Sequence, residues 1–367
     1  MRIAFDSQIF SAQEYGGISR YFCEIAPRLA RSPGVTLSIA APLHVNAYLA
    51  ELPPPLNQGR RVKGSGLLRV PVRMAGIAAS DWCLRRLSPD VIHETYYSPW
   101  ATGPKSAPRV LTVYDMAHER FPETQVNSGK TSRFKALAAR RADHIICISE
   151  STRRELIDLL GVPAGKTSVI YLATSMTKVE PDAQLRARLP QRPYLLYVGS
   201  RSGYKNFPRL LQAYAGSPRL RNDFDLLCFG GGAWSATEKA EMSRLQLDPA
   251  RLHCSGGDDR LLAQAYLHAR VFVYPSQYEG FGIPPLEAMA QQCPVACGRN
   301  SSIPEVVGEA GAYFDASDAD SIRAAVESLA CDDTERAKVI PLGNQRVAHF
   351  SWDRCAMETL AVYRQLG

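Results

Sequence analysis

The chain has no Cys-x-x-Cys pair, no His-x-x-x-His and no Cys/His grouping at zinc-site spacing, although it contains nine cysteines and seven histidines. That excludes zinc-ribbon and thioredoxin-type readings. The cysteine count is odd, and Cys147, Cys228 and Cys254 stand in apolar, strand-like runs where a reduced thiol acts as a small hydrophobe. A reducing compartment is expected. No uninterrupted apolar run approaches the roughly 18 residues of a spanning helix. The N-terminus, Met-Arg-Ile-Ala-Phe-Asp, enters a strand pattern without the apolar core and cleavage site of a secretory signal. The expected location is therefore cytoplasmic, with any contact at the inner membrane peripheral. Repeats, low-complexity runs and basic patches interleaved with aromatics are also missing. A net charge of +7 suits an acidic small molecule or an anionic membrane surface, and nucleic acid is not expected as a partner.

What is present is a rhythm. Short apolar runs at Ile3 to Phe5, Val35 to Ala40, Val91 to His93, Val110 to Tyr114, Ile145 to Ile148 and Val169 to Leu172 alternate with helical patterns. The rhythm restarts, after the polar stretch from Ala173 to Pro193, with Tyr194 to Val198, Phe224 to Phe229, Val271 to Tyr274 and Pro294 to Ala296. Alternating strands and helices predict an α/β protein with parallel sheets. Its 367 residues exceed one ordinary core, so two domains are expected: 1–172 together with a closing helix at 352–367, and 173–351. Ligand would bind at the carboxyl ends of the strands, in a cleft between the domains.

The strongest motif is Tyr278-Glu-Gly-Phe-Gly-Ile-Pro-Pro-Leu-Glu-Ala. Gly280 and Gly282 let the backbone approach a bulky ligand closely, and Pro284 and Pro285 fit a first helical turn whose amides would face an anion. Glu279 and Glu287 flank that turn as acceptors for hydroxyls. After the strand Tyr194 to Val198, Arg201 and Lys205 sit on the glycine-bracketed loop Gly199-Ser-Arg-Ser-Gly-Tyr-Lys-Asn, where a guanidinium and an ammonium together can neutralise a diphosphate. Gly16-Gly17 precedes a helical run from Ile18 to Leu29 and offers amides either to a phosphate or sugar oxygen or merely to a turn. Gly230-Gly231-Gly232 lacks dinucleotide-binding spacing and reads as a strand exit. Asp258-Asp259, Asp318-Ala-Asp320 and Asp332-Asp333 fall where helices start, so they read as caps and not as metal ligands. His118 follows a strand and is either structural or turned to the site. From Leu67 to Leu87 an apolar pattern runs beside Arg69, Arg73, Arg85 and Arg86, preceded by Arg60, Arg61 and Lys63. It reads as a core-packed helix with a solvated rim, or as a basic amphipathic segment resting on anionic lipid.

Taken together, Gly16-Gly17, Arg201 with Lys205-Asn206, the Glu279 to Glu287 segment and the closing Phe350-Ser-Trp352 helix resemble the retaining GT-B glycosyltransferases of family 4, over essentially the whole chain. The resemblance implies two Rossmann-like domains facing a cleft, with the last helix, Trp352 to Leu366, crossing back to the first domain. It also implies roles. Glu279 would hold the donor sugar, Glu287 the ribose, Arg201 and Lys205 the leaving diphosphate, and amides of Gly280, Phe281, Gly282, Ile283 and Gly17 would complete the cradle. No metal and no further cofactor is implied, the donor being a nucleotide-diphosphate sugar. Many relatives carry a His-Asp pair where this chain has Tyr114-Asp115, so the sugar contact from the first domain falls to Tyr114 or to His118.

Tyr-Asp-Met-Ala-His-Glu-Arg-Phe-Pro, with Gly-Gly-Ile-Ser-Arg-Tyr, is most similar to the mannosyl- and rhamnosyltransferase branch that builds surface polysaccharides such as O-antigen. This implies a GDP-sugar, GDP-mannose first, and a lipid-linked glycan acceptor. The alternatives are a UDP-sugar-dependent transferase, a sugar-nucleotide 2-epimerase and a non-catalytic nucleotide-sugar binder.

Overall fold

A computed structural model describes residues 1–62 and 69–367, with side chains described from residue 74 onward in the helix Arg69–Leu87. The chain forms two compact units, Met1–Leu172 with Ser351–Gly367, and Ala173–Phe350.

Among the described residues the first unit has strands β1 (Arg2–Phe5), β2 (Thr36–Ile39), β3 (Leu43–His44), β4 (Arg60–Arg61), β5 (Val91–Glu94), β6 (Arg109–Val113), β7 (His144–Cys147) and β8 (Thr167–Val169). The second has β9 (Tyr194–Val198), β10 (Asp225–Phe229), β11 (Leu252–Ser255), β12 (Val271–Tyr274), β13 (Val295–Gly298) and β14 (Gly311–Phe314). Each unit is built on a six-stranded sheet, ordered β2-β1-β5-β6-β7-β8 in the first and β11-β10-β9-β12-β13-β14 in the second. All pairings are parallel. Helices cover such sheets on both faces, so inner strands are apolar throughout. Every residue of β6, β10, β12 and β13 is buried.

The closing helix, Trp352–Leu366, starts at Ser351, whose hydroxyl accepts from the Arg354 N–H, and packs on the helix Gly17–Ala30 of the first unit. It is fastened through His93 at the end of β5, whose Nδ1 lies 2.5 Å from the Tyr363 hydroxyl and whose Nε2 lies 2.9 Å from Thr112 Oγ1. Burial of this ring depresses its pKa from the ordinary 6.5 to about 3. The folded protein therefore keeps His93 neutral where the unfolded chain takes up a proton. Its contribution is whole above pH 6.5 and is lost as the pH falls from there toward 3, at up to about 1.4 kcal/mol per unit. His93→Gln should flatten the pH dependence of unfolding free energy in that window. An unchanged slope would assign acid sensitivity elsewhere.

The three acidic pairs do start helices: Asp258, Asp318 and Asp332 each accept first-turn N–H groups as N-caps. All nine cysteines are free thiols. Cys147 and Cys228 are buried as expected, but Cys254 is exposed because β11 is a sheet edge.

The helix Arg69–Leu87 departs from the core-helix expectation. Lys63, Leu67 and Leu68 lie outside the described residues, as do the side chains of Arg69, Val70, Val72 and Arg73. Of the remaining apolar set only Leu84 is buried, while Trp82 and Leu87 are exposed. The buried line is Gly76, Ser80 and Leu84. Glycine and serine face inward because the helix approaches β3 closely: a Cβ on Gly76 would come within 3.1 Å of the Leu43 carbonyl. No helix among the described residues is long and apolar enough to cross a membrane.

Candidate functional site

In the second unit the strand order reverses between β9 and β12. Open parallel sheets bind ligands beyond the carboxyl ends of their strands at such a switch point. The two loops that leave there carry Lys205 and Glu279. After β9 the Tyr197 hydroxyl donates to the Ser200 carbonyl at 2.5 Å. A short turn, Gly203–Lys205, then brings the lysine up. Asn206, left-handed at φ 60°, donates its amide to the carbonyls of Pro275 at 3.0 Å and Ala316 at 2.7 Å, tying this loop to the one after β12.

On the other side, the Ser302 hydroxyl donates to the carbonyls of Glu279 and Phe281, each at 2.8 Å, and Ser301 Oγ accepts the Glu279 N–H at 2.9 Å. Held from both loops, Lys205 Nζ donates to the two carboxylate oxygens of Glu279 at 2.8 and 2.9 Å. Gly282 follows at φ 110°, and a Cβ there would also come within 3.0 Å of Ile303 Cδ1. The helix Ile283–Ala290 begins after it with two prolines, which have no N–H, in its first turn and no side-chain cap, so the N–H groups of Gly282 and Ile283 are those left at the positive end of the dipole for a ligand. The Phe281 ring packs edge-on against Phe350 at 5.7 Å, so its contribution to the loop's outer surface is its backbone. Glu287, on the same helix, accepts from the buried Tyr266 hydroxyl at 3.2 Å.

Arg201 is placed otherwise than expected. Its Nη1 donates to the Gly230 carbonyl at 2.9 Å, and its Nη2 donates to the carbonyls of Gly232 at 3.1 Å and Ala233 at 3.0 Å. Its Nε lies 2.5 Å from Glu238 Oε1, and the guanidinium sits 4.7 Å from the Trp234 ring centre. Buried and engaged at all three nitrogens, it clamps the triple-glycine loop, whose residues all have positive φ. Burial alone would raise the Glu238 carboxyl, but hydrogen bonds from Arg201 and Ser235 hold it below its usual range.

In the first unit the switch point lies between β1 and β5. Asp6, fully buried at the end of β1, bridges it by accepting from Thr95 N–H at 2.9 Å and from the Thr95 hydroxyl at 2.5 Å. Burial, with the nearby Glu94 charge, pushes its carboxyl up to about 6. Gly16 caps the helix Gly17–Ala30, and a Cβ on it would meet Gln13 Oε1 at 2.3 Å, whereas a Cβ on Gly17 would meet nothing. After β6, Tyr114 is buried and its hydroxyl donates back to the Thr95 carbonyl at 3.4 Å. Asp115 accepts the Ala117 N–H at 3.0 Å, and His118 lies half-buried in the short helix Ala117–Arg120 with no hydrogen-bond partner at Nδ1. Burial lowers the His118 pKa and Lys135 lowers it further, against the opposing pull of Asp115 and Glu119. Lys135 underlies this loop: wholly buried, it donates to the Asp115 carbonyl at 2.8 Å and to Glu119 Oε2 at 2.7 Å.

A family model described as "Glycosyltransferase Family 4" matches residues 15–178, and one described as "Glycosyl transferases group 1" matches residues 182–346. The chain belongs to glycosyltransferase family 4. O-antigen chain mannosyltransferase B of Escherichia coli is 29% identical over 376 residues, covering 95% of this chain and 96% of that protein. Alpha-maltose-1-phosphate synthase of Mycobacterium tuberculosis (strain H37Rv) is 27% identical over 402 residues, with 100% of both chains covered. The structure of sucrose-phosphate synthase from Thermosynechococcus elongatus matches with a TM-score of 0.78 at 22% identity, covering 100% of this chain and 98% of that one. The two Rossmann-like sheets are those of the GT-B fold.

As a family 4 glycosyltransferase, the chain is an enzyme, and the 2-epimerase and non-catalytic alternatives fall away. Of the expected site residues, the structure brings Lys205, Glu279, Gly280, Phe281, Gly282, Ile283 and Glu287 to one switch point, and Tyr114, Asp115 and His118 to a single strand end. Among the described residues no three His, Cys, Asp or Glu side chains are grouped to hold a metal ion. Sequence reasoning missed Glu238, Ser301, Ser302, Asp6 and Lys135. It also missed Ser276 and Asn300, beyond β12 and β13, whose Oγ and Oδ1 are buried without partners.

Proposed function

We propose that this chain is a retaining mannosyltransferase, moving mannose or a related hexose from a GDP-sugar to a lipid-linked glycan in surface-polysaccharide synthesis. The observation that carries it is the Lys205–Glu279 pair at the β9/β12 switch point in a chain similar along nearly its whole length to an O-antigen mannosyltransferase. On this reading Glu279 holds the Lys205 ammonium in place and takes hydroxyls of the donor sugar, and Glu287 takes the ribose. Lys205, with the N–H groups of Gly282 and Ile283 at the start of the helix Ile283–Ala290, faces the diphosphate. Arg201 acts from behind, shaping the Gly230–Ala233 loop. His118, on the loop after β6, is the sugar contact of the first unit, and Tyr114 belongs to the core.

Breaking the anomeric C–O bond leaves an oxocarbenium-like sugar and a diphosphate with an added negative charge, so fixed positive charge lowers the barrier most. Lys205 and the helix terminus supply it without a metal. The acceptor oxygen bonds to the anomeric carbon on the face that the diphosphate leaves, and its proton passes to a diphosphate oxygen. The protein need offer no general base.

The donor is tested by thermal shift with GDP, UDP, ADP and their sugars. A ligand at ~100 times its dissociation constant stabilises by about 2.7 kcal/mol, so GDP and GDP-mannose should raise the melting temperature by several degrees. Stabilisation by UDP and not by GDP would move the reading to a UDP-sugar transferase.

A further inference from the structure

The helix Arg69–Leu87 is turned against the usual polarity of a surface helix. Its outward ridge carries Met74 at 56% and Trp82 at 61% exposure, with Ala75 and Ala78 exposed between them, while Gly76, Ser80 and Leu84 face inward. The basic residues of its last turns share the outer side. Arg86 lies over the Trp82 ring at 5.5 Å, and Arg85 pairs with Asp81 at 2.8 Å. Beside this ridge opens a cavity of about 480 Å³, within the roughly 300–1,000 Å³ of small-molecule sites. Trp82, Cys83, Arg86 and Leu87 form one wall, and Ile39 to Pro42, with Gln58 and Gly59, form the other. That second wall is mainly apolar, for Ile39, Ala40 and Ala41 are buried hydrophobics, with Ser38 and Gln58 its polar members. Because β2 is an edge strand, no further strand among the described residues closes that side.

An apolar cavity with a tryptophan at its mouth and an arginine on its rim matches a ligand with a long hydrocarbon tail and an anionic head. We propose that the cavity takes an acyl chain of an anionic glycerophospholipid, with Arg86 at the headgroup and Trp82 and Met74 at the bilayer interface. Trp is suited to that level, where its ring is half apolar and half wet. The reading of a membrane-borne acceptor explains why the enzyme would sit at a bilayer, but the cavity and ridge stand without it.

The test uses the full chain with phosphatidylglycerol and phosphatidylcholine vesicles. Sedimentation should occur with phosphatidylglycerol only, and Arg86→Glu and Trp82→Ser should each weaken it roughly tenfold or more. Phosphatidylglycerol brominated along its acyl chains should quench tryptophan fluorescence in the wild type and much less in Trp82→Phe. Cys83→Phe, which fills the cavity and leaves every charge in place, should weaken binding as well. Unchanged sedimentation of Arg86→Glu and Trp82→Ser, equal binding to phosphatidylcholine, or undiminished quenching in Trp82→Phe would each overturn the proposal. So would binding of a polyisoprenyl phosphate in the absence of any phosphatidylglycerol binding. Transfer to a water-soluble glycan separates this site from the catalytic reading: the four variants should retain it, and its absence in the wild type would count against the proposed function and not against the lipid site.

Discussion

Lys205→Ala should lower sugar transfer by at least about 100-fold, the usual cost of removing one preorganised charge stabiliser. The ammonium is the one side-chain cation that the β9 loop directs to Glu279 at the switch point, since Arg201 is turned to its own glycine loop. Removing it also leaves the Glu279 carboxylate, 9% exposed as a residue, without its cationic partner, so repulsion of the incoming diphosphate adds to the loss of attraction. Glu279→Ala should cost as much for a different reason, because Lys205 is then unheld. The two losses should be far from additive: the double variant should be little worse than either single one, as expected of groups that act as a unit. Single-turnover transfer from the cognate donor, with circular dichroism to establish folding, measures this. Turnover near that of the wild type in Lys205→Ala, or strictly additive losses, would dissociate the pair from catalysis.

Much of this half-site was legible before any coordinates. Glycines beside carboxylates, followed by two prolines, leave few backbone conformations other than a tight loop into a helix, and the apolar runs at Tyr194 to Val198 and Val271 to Tyr274 became β9 and β12 without shift. Two strands of that sheet were not set out as elements, β11, marked only by the strand-like setting of Cys254, and β14, and both are its edges. An edge strand is half solvated, so Leu-His-Cys-Ser and Gly-Ala-Tyr-Phe carry too little hydrophobic signal to stand out from loop. The residues missed around the site share another cause. Lys135 and Glu238 lie in helical patterns dense in charge, where a lysine or glutamate ordinarily faces water. Their burial depends on what packs against the helix, information that lies far away in the chain: Glu238 is 37 residues from Arg201. Arg201 itself was placed on the right loop but aimed the wrong way, since the acceptors that capture it are backbone carbonyls, which no side-chain pattern displays. The reversed polarity of Arg69–Leu87 was hidden for a similar reason, as a close approach to β3 selects glycine and serine inward whatever the hydropathy.

Lys135→Met should destabilise the first unit by about 3–5 kcal/mol, the range for removing one member of a buried ion pair. Lys135 is 0% exposed, and its ammonium reaches Glu119, the Asp115 carbonyl and the face of the Tyr97 ring at 5.3 Å. Methionine fills much of the stem's volume, so the loss is chiefly that of the charge and not of packing. What remains is the Glu119 carboxylate, 10% exposed as a side chain and already lacking a partner at Oε1. Glu119→Gln in the same chain should therefore restore most of the stability, because it removes the uncompensated charge. It should not restore transfer, since the Asp115 carbonyl is still unheld and the loop bearing Asp115 and His118 is no longer fixed. Denaturant midpoints, with hydrogen exchange followed at residues 113–119, separate the two effects. A single variant as stable as the wild type would make Lys135 a spectator. A double variant with full transfer would show that the loop needs the charge balance alone and not the lysine's grip on its backbone.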